Sequence, residues 1–308
     1  MSAVHQTTHY DFMSKRKLWY AISLGMLIPG LIFFFMGGLK LGLDFTGGSL
    51  FELAFKKPMT VNAVRETLQA TDKEKFSDAQ ISILKDDTGK EIVAVKSKPV
   101  DDREQIKVFD ALKKTHGEFE QVRVEVVGPS VGGELTQKAI LSTLVVMAMI
   151  VLYISFRFSL DYAVCGIIAL AHDVMIVVGI FSMLGYFFGV EVDSLFVTAI
   201  LTVAGFSIHD TIVTFDRVRE NSGDMGRGKS FADVANDSIN QTLVRSVNTS
   251  LTVMFPLFTL TLFGGVTIKY FALAMLIGIM VGVYSSIFVA SPMLVDWRTL
   301  TRSSYRKA

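Results

Sequence analysis

An aspartate interrupts one of the most hydrophobic segments of the chain. Asp210 lies in the run LTVAGFSIHDTIVTFDRVREN, which is apolar before it and turns basic at Arg217 and Arg219. An ionised carboxylate at mid-membrane costs roughly 2.5–3.5 kcal/mol on insertion scales, and such residues are functional by default. The sequence therefore predicts that Asp210 is a working residue of an ion-coupled membrane protein. The alternative is a buried, hydrogen-bonded packing residue.

A second charged residue, Arg245, opens the next hydrophobic segment. Helical spacing places it on one face with several polar residues. That polar stripe consists of Gln241, Arg245, Asn248, Thr249 and Thr252. Because a polar face towards lipid is costly, we expect the stripe to pack on protein or to line a wet cavity. Taken alone, Arg245 could equally be a snorkelling anchor at the membrane surface.

Asp210 and Arg245 would meet at a similar depth if their helices are neighbours. Two hydroxyl residues, Ser207 and Thr214, share the helix face of Asp210 by three-and-four spacing. Burial disfavours the charged form of a carboxylate, whereas a nearby guanidinium favours it. An arginine that moves towards or away from the acid would therefore switch it between releasing and holding a proton. This is a minimal proton relay.

The third hydrophobic segment contains a second polar pair, His172 and Asp173, in ALAHDVMIV. Asp173 is predicted to be either a second relay residue or a helix-packing residue. His209 would tune the pH range of the relay or serve as a packing histidine. No pair in one helix has the i, i+4 spacing of a HExxH site, so we predict no metal and no cofactor other than the coupling ion. Cys165 is expected to be a small packing residue.

Composition identifies an integral membrane protein. The 308 residues are 51% hydrophobic and 19% charged, with a mean hydropathy of +0.46. The net charge of +1 argues against nucleic acid as the main partner. A helix that crosses the hydrocarbon core needs about 20 residues, and about six stretches qualify. They are Leu18–Leu39, Ala139–Phe156, Tyr162–Phe188, Leu195–Phe215, Val244–Phe263 and Tyr270–Val295.

The positive charges predict the orientation of these segments. Basic residues precede the first span, lie between the second and third, fill the fourth connection and end the chain. The positive-inside rule therefore places both termini in the cytoplasm. We predict a cytoplasmic tail over residues 1–17, disordered from Met1 to Met13, and a cytoplasmic tail over residues 296–308. A cytoplasmic loop is expected at about 216–243, with a glycine hinge and a short amphipathic surface helix around Phe231–Ile239.

Residues 40–138, between the first two spans, read as an extracytoplasmic α+β domain. SLFELAF alternates like a strand, VNAVRETLQA has helical spacing, and AQISILKD and EIVAVKSK predict two strands around the turn Asp87-Thr88-Gly89. An amphipathic helix, DREQIKVFDALKKTHG, and a last strand, FEQVRVEVVG, follow. The order strand-helix-strand-strand-helix-strand is typical of a small ferredoxin-like sandwich. The predicted fold class is therefore a polytopic α-helical membrane protein with one small α+β domain.

Four motifs together resemble the SecF subunit family of the bacterial Sec protein-export machinery. They are DFTGGS at Asp44–Ser49, VGPSVGGEL at Val127–Leu135, GFSIHDTIVTFDRVREN at Gly205–Asn221, and the stretch from QTLVRSVNTS to the LFGG that closes at Gly265. The resemblance covers nearly the whole chain, including the six-span layout. The aspartate followed by DRVREN and the arginine of the fifth span are its most specific parts.

The resemblance implies a function and a set of partners. The protein would act with SecD beside the SecYEG channel of a bacterial inner membrane. It would use the proton gradient to promote preprotein translocation after the SecA-driven step, with YajC as a further partner. Asp210 matches the relay aspartate of the family and Arg245 the arginine opposite it, whereas SecD would supply another aspartate. Asp44, Gly47 and Gly48 match a structural motif next to the first span, and no enzymatic activity is implied.

Three other interpretations of the residues are open. A half-transporter of the resistance-nodulation-division type would export a small molecule or lipid, although such pumps usually carry about twelve spans and two outer domains. An intramembrane aspartyl protease would use Asp173 and Asp210, but the expected glycine-x-glycine-aspartate pattern is missing. A structural scaffold would need no ion flow. The sequence leaves proton and sodium coupling undecided.

Overall fold

The computed structural model describes residues 9–85, 89–225 and 228–305. The helices are α1 (Arg16–Phe35), α2 (Leu43–Thr46), α3 (Val61–Thr71), α4 (Lys73–Phe76), α5 (Asp102–His116), α6 (Pro129–Arg157), α7 (Leu160–Phe188), α8 (Ser194–Asn221), α9 (Phe231–Phe263), α10 (Val266–Ser285) and α11 (Ser291–Tyr305). The strands are β1 (Lys40–Leu41), β2 (Gly48–Phe55), β3 (Gln80–Lys85), β4 (Glu91–Ser97), β5 (Phe119–Val127) and β6 (Glu191–Val192). A five-residue π-helical segment, Ser286–Ala290, joins α10 to α11 and is called the π-turn below.

The chain divides into two compact units. The helical unit comprises residues 1–40 and 142–308, and the α+β unit comprises residues 41–141. Within the described residues, six helices are long and apolar enough to cross a membrane. They are α1, α6, α7, α8, α9 and the continuous stretch Ile268–Thr301 that contains most of α10, the π-turn and part of α11. The predicted number of six spans is confirmed.

Several helix ends differ from the predicted ones. The short surface helix predicted around Phe231–Ile239 is not separate, because it forms the first turns of the 33-residue helix α9. Ser230 and Asp233 build a capping box that starts α9, and its one internal proline, Pro256, lies far downstream. At the other end of the loop, α8 continues to Asn221. Gly226, part of the predicted hinge, lies outside the described residues.

The N-terminal segment is more ordered than predicted. Residues 1–8 lie outside the described part, but Phe12 and Met13 are buried, at 8% and 4% exposure. Asn240 both accepts from the Tyr10 N–H and donates to the Tyr10 carbonyl, at 2.8 Å each. Asn236 accepts from the Phe12 N–H at 2.8 Å. The prediction of a disordered Met1–Met13 tail is therefore wrong for residues 9–13, because two asparagines one turn apart on α9 hold their backbone.

The predicted C-terminal tail is also partly helical. α11 runs through the predicted start of the tail at residue 296 and ends at Tyr305, and residues 306–308 lie outside the described part. Asp296 pairs with Arg16 of α1 at 2.8 Å, and Arg298 pairs with Asp161 of α7 at 2.6 Å. These ion pairs tie α11 to the other helices of its unit.

Glycines allow the helices of the helical unit to approach closely. A β-carbon built on Gly179 of α7 would lie 2.7 Å from the Cα of Gly30 in α1, and the reverse contact would be 2.8 Å. Between α8 and α10, a β-carbon on Gly278 would collide with a methyl carbon of Val203. Small residues at helix crossings let the backbones pack without a larger side chain between them. Packing, rather than hydrophobic transfer, holds helices together in lipid.

The α+β unit has the predicted order of elements. Its four antiparallel strands lie in the order β3-β4-β2-β5, and α3 and α5 connect them in a split βαβ arrangement. Phe51, Leu53, Val95 and Leu112 are among the side chains that fill its core. The predicted turn residues Asp87 and Thr88 lie outside the described part of the chain.

Close helix packing at Gly179 generates a stability prediction. We expect Gly179→Leu to lower the thermal unfolding midpoint of the purified protein, because overpacking of this kind costs about 1–3 kcal/mol. Gly25→Leu is the matched control, since Gly25 lies on α1 with nothing within 4 Å of an added β-carbon. Equal midpoints for the two variants would contradict a backbone contact between α1 and α7.

Candidate functional site

Asp173 of α7 is a completely buried carboxylate at the centre of the helical unit. Its side chain is 0% exposed. Oδ2 accepts hydrogen bonds from Ser207 of α8 at 2.5 Å and from Ser285 of α10 at 2.6 Å. Oδ1 lies 2.9 Å from Nδ1 of His172. Three helices therefore converge on this one acid, and Ser207, predicted to support Asp210, contacts Asp173 instead.

Asp210 of α8 has a less complete environment. Its Oδ1 accepts a hydrogen bond from the hydroxyl of Ser246 on α9. Its Oδ2 is buried and makes no hydrogen bond within the described part of the chain. The Oγ1 of Thr214, one turn further along α8, is buried and unpartnered in the same way. Asp210 thus has one satisfied and one unsatisfied oxygen, which is the arrangement expected where another group binds or leaves.

The π-turn supplies a second hydroxyl close to Asp210. Ser286, its first residue, lies 2.9 Å from the Thr211 hydroxyl, with oxygen facing oxygen. It is also close enough to act on the Asp210 carboxyl group. The carbonyl of Gly282 accepts from both Ser285, at 3.1 Å, and Ser286, at 2.9 Å. Two adjacent serines therefore lie next to different acids: Ser285 donates to Asp173, and Ser286 lies beside Asp210.

A glycine makes this convergence possible. A β-carbon on Gly282 of α10 would lie 3.1 Å from both Cα and Cβ of Ser207. The backbones of α8 and α10 therefore come together at the level of the acids. Ser291 Oγ donates to the Ser286 carbonyl at 2.9 Å, five residues back, which stabilises the π-turn. Single π-turns inside α-helices occur frequently at functional sites.

Arg245 does not contact Asp210. Its side chain is exposed, and across residues 9–85, 89–225 and 228–305 no ion pair or hydrogen bond joins the two. The helices are neighbours as the relay hypothesis requires, but the residue that faces Asp210 is Ser246, which is 3% exposed. One residue corresponds to about 100° of helix rotation. The expected meeting of Asp210 and Arg245 is therefore absent from this conformation.

The rest of the polar stripe on α9 also faces outward. Arg245, Asn248, Thr249 and Thr252 are exposed. Gln241, at the start of the stripe, accepts hydrogen bonds from Arg217 and Asn221 near the end of α8. Only Gln241 of the stripe thus contacts α8, and the other four residues face outward. Since lipid is a costly neighbour for such a face, a second protein is the better neighbour.

Sequence reasoning missed Ser246, Thr211 and the Ser285-Ser286 pair. The pair lies in the sixth span, in GVYSSIFVAS, where three serines in an otherwise apolar run are a usable signal. Ser246 could not be recognised in this way, because it lies next to Arg245, whose charge dominates the local pattern. His209, which precedes Asp210, is exposed, and Cys165 is buried in the core of the unit. No group of three or more His, Cys, Asp or Glu side chains in the described residues could hold a metal ion.

The double-glycine motif, Gly47 and Gly48, has a structural role in the α+β unit. Gly47 and Gly48 adopt φ values of +67° and +135°, which favour glycine. A β-carbon on Gly48 would lie 2.7 Å from the Ser97 carbonyl oxygen, and Asp44 lies in the first turn of the short helix α2. The predicted structural role of these residues fits this geometry.

Comparison with protein families identifies the class. Residues 107–300 match the C-terminal model of the protein-export membrane proteins SecD/SecF, and residues 32–59 match the SecD/SecF GG motif. The second match contains Asp44, Gly47 and Gly48. The chain is thus a membrane protein of the SecD/SecF export class.

Individual relatives narrow the assignment. The protein translocase subunit SecF of Thermobaculum terrenum is 46% identical over 298 residues, which cover 93% of each chain. SecF of Anaerolinea thermophila is 41% identical over 94% of each chain. The chain belongs to the SecF family, the protein-export subunits of the Sec translocase. The resemblance seen in the sequence is confirmed.

Solved structures support the same assignment. The crystal structure of SecDF from Thermus thermophilus, a translocon-associated membrane protein, superposes with a TM-score of 0.82 at 35% identity. It matches 97% of this chain, whereas this chain matches 40% of that longer chain. SecDF in its super-membrane-facing form gives a TM-score of 0.70 at 34% identity. The SecDF chains thus carry a large additional part that this chain does not match.

The positions of Arg245 and Ser246 generate a prediction that separates stability from function. Arg245→Ala should leave the thermal unfolding midpoint nearly unchanged, because exposed substitutions usually stay within about 0.5 kcal/mol. Ser246→Ala should lower it, since removing the donor to a buried carboxyl costs about 1–3 kcal/mol. Both midpoints are measured by thermal unfolding of purified protein. A large destabilisation by Arg245→Ala would reveal an intramolecular contact for that side chain.

Proposed function

We propose that this chain, together with SecD, uses the proton-motive force to promote preprotein translocation through SecYEG after the SecA-driven step. The coupling ion is a proton carried by Asp210. Binding and release of that proton drive a cycle between at least two conformations with different access to the acid. Arg245 acts in the conformation in which it approaches Asp210.

The observation that carries the proposal is the unpaired oxygen of Asp210. Asp210 is half-buried, but its Oδ2 is buried with no hydrogen bond among the described residues, and such an oxygen either holds a proton or awaits a donor. Thr214 beside it is a second unsatisfied buried group. Such groups are costly in a membrane span, so their presence supports a working site rather than a packing residue.

The outward stripe on α9 supports SecD as the partner that completes the relay. The family resemblance assigns SecD a further membrane aspartate. A SecD helix packed on the stripe would cover Asn248 and Thr252 and would offer this acid to Arg245. The combination of SecD and SecF in the matched SecDF structures agrees with such an assembly.

The proposed topology follows the distribution of basic residues. The end of the helical unit that carries Arg157, Arg217, Arg219 and Arg298 faces the cytoplasm of a bacterial inner membrane, with both termini. Several of these arginines are ion-paired there, as Arg157 is with Asp216 at 3.0 Å. The α+β unit then lies outside the cytoplasm as a ferredoxin-like domain. It grips or steers the emerging polypeptide, and YajC is a further partner of the assembly.

The chemistry of the two acids disfavours the protease alternative. Catalysis by an aspartyl pair requires both carboxyl groups to hold one water molecule between them. Both oxygens of Asp173 are instead occupied, by Ser207, Ser285 and His172. Asp173 is therefore engaged by protein groups, which supports a role other than peptide hydrolysis.

Export in living cells tests the proposal. In cells depleted of their own SecF, a chain carrying Asp210→Asn should fail to support export of a secreted reporter. Asp210→Glu should retain part of the activity, because it keeps an ionisable carboxyl. Membrane abundance of each variant is measured in parallel.

Asp237→Asn is the matched control for this experiment. Asp237 lies near the start of α9 and outside the family motifs, and it pairs with Lys229 at 2.6 Å and with His9 at 3.5 Å; such pairs contribute about 0–1 kcal/mol. Its variant should export normally. Normal export by Asp210→Asn at wild-type abundance would show that Asp210 is a packing residue and that the chain works as a scaffold.

Cysteine cross-linking tests the proposed partner surface. In a Cys165→Ser background, Thr252→Cys should form cross-links to SecD, because it lies on the exposed stripe. Leu24→Cys is the control, since Leu24 is 53% exposed on α1, which packs on α7, whereas α9 packs on α8 and α10. SecD adducts at Leu24 with none at Thr252 would place the partner on another side of the bundle.

A further inference from the structure

Asp173 is held by hydrogen bonds typical of an ionised carboxylate. The Ser207 and Ser285 hydroxyls lie 2.5 and 2.6 Å from Oδ2. Charge-assisted O–H···O⁻ bonds have lengths of about 2.5–2.7 Å, shorter than neutral ones. Both hydroxyls reach the same oxygen from different helices, and the side chain has no exposed surface. Oδ2 therefore has two hydroxyl donors from different helices, an arrangement that stabilises a negative charge there.

His172 completes this arrangement and carries a second unsatisfied atom. With its hydrogen on Nδ1, the ring donates to Oδ1 of Asp173 across the 2.9 Å contact, so that both carboxylate oxygens accept. The residue is 8% exposed, and its Nε2 is buried without a hydrogen-bond partner among the described residues.

Asp173 and Asp210 are linked through neighbouring hydroxyl residues. Ser207 and Asp210 lie three residues apart on one face of α8, and Ser207 reaches Asp173. Ser285 also reaches Asp173, while its neighbour Ser286 contacts Thr211, the residue that follows Asp210. Both acids therefore lie at the contact between α8 and the end of α10. Two carboxylates in such a site resist being ionised together.

We propose that Asp173 is a fixed buried anion that keeps a proton on Oδ2 of Asp210 in this conformation. Asp173 is then a positioning residue, because it acts through Asp210 and does not carry the transported proton itself. The difference in hydrogen bonding decides which acid is ionised. Asp173 accepts from Ser207 and Ser285 and contacts Nδ1 of His172. Asp210 accepts from Ser246 on one oxygen, and its other oxygen is buried without a hydrogen bond among the described residues. This inference deepens the proposed function, on which it rests for its biological meaning.

The groups around the pair define the local electrostatics. The ionisable side chains that act on the two acids are His172 from α7 and His209 from α8. Towards them, α9 presents the Ser246 hydroxyl, and α10 with the π-turn presents Ser285 and Ser286. Arg245, next to Ser246, points away and is exposed. A rotation of α9 that exchanged Ser246 for Arg245 would bring a positive charge to Asp210 and favour loss of its proton.

Carbodiimide labelling measures which acid carries the proton. A hydrophobic carbodiimide such as dicyclohexylcarbodiimide adds to a protonated carboxyl group, and the adduct rearranges to a stable N-acylurea. Membrane vesicles containing the whole SecD–SecF assembly are treated with the reagent, and the labelled peptides are quantified by mass spectrometry. In the wild type we expect label on Asp210 and none on Asp173. Asp210→Asn sets the background.

Two substitutions of Asp173 separate charge from shape. Asp173→Asn keeps the shape but removes the charge, so labelling of Asp210 should become several-fold slower. Asp173→Glu keeps the charge but changes the shape, so labelling should stay near the wild-type rate. A purely structural role predicts the opposite order, because the larger glutamate disturbs the packing more. Unchanged or faster labelling in Asp173→Asn, or equal slowing in both variants, would overturn the proposal.

A milder variant covers the case in which Asp173→Asn does not fold. Ser285→Ala removes one donor from Asp173 and leaves both acids in place. Label should then appear on Asp173, at the expense of Asp210. Ser182→Ala is the matched control, since this buried hydroxyl on α7 donates to the Val178 carbonyl of its own helix and contacts neither acid. Wild-type labelling of both acids in Ser285→Ala would contradict a built anion site.

The labelling experiment is independent of export. Normal export by Asp210→Asn would refute the proposed function even if Asp173 controls the proton on Asp210. Conversely, loss of export in Asp210→Asn combined with wild-type labelling in Asp173→Asn would leave the proposed function intact and refute the role of Asp173. Each of the two proposals can therefore be refuted without refuting the other.

Discussion

A carboxylate without water around it must find its hydrogen-bond donors inside the protein, and the helical unit is organised around this requirement. Asp173 has no exposed surface, so α8 and α10 must approach α7 closely enough for Ser207 and Ser285 to reach one oxygen. Gly282 permits that approach. The π-turn that follows then sets Ser286 beside Thr211 and Asp210. The buried charge, the glycine crossing and the irregular helix are thus parts of one arrangement.

The two acids of the bundle differ in how completely they are enclosed. Both oxygens of Asp173 contact groups of this chain, whereas one oxygen of Asp210 has no hydrogen bond among the described residues. An acid whose oxygens are both hydrogen-bonded cannot readily change its state, and one with a single hydrogen-bonded oxygen can. The neighbouring helix α9 carries an outward polar stripe, which lipid would not cover favourably.

The double-glycine motif is needed for the local backbone conformation and not for a chemical reaction. Gly47 and Gly48 have positive φ values, and a β-carbon on Gly48 would collide with the Ser97 carbonyl. Gly132, near the start of α6, adds a similar constraint, because its β-carbon would lie 3.1 Å from the Gly47 nitrogen. The motif therefore brings the segment before β2 and the first turns of α6 together. A sequence signature shared by a whole family can in this way record close packing without recording a reactive group.

The sequence by itself determined the six candidate spans and the order of strands and helices in the α+β unit, and it singled out Asp210 as a charge in an apolar run. These properties follow from local patterns, since hydrophobic length, alternation and an out-of-place charge are visible in one stretch of chain. Only the tertiary structure decided that Ser246 and not Arg245 faces Asp210. Adjacent residues of a helix are separated by about 100° of rotation. When a helix is polar on two sides, no local pattern shows which of these sides faces its neighbour. It also decided that Ser285 and Ser286 serve different acids and that Phe12 and Met13 are buried. These contacts join residues distant in sequence, and their geometry depends on glycine crossings and a π-turn that arise only when the helices pack.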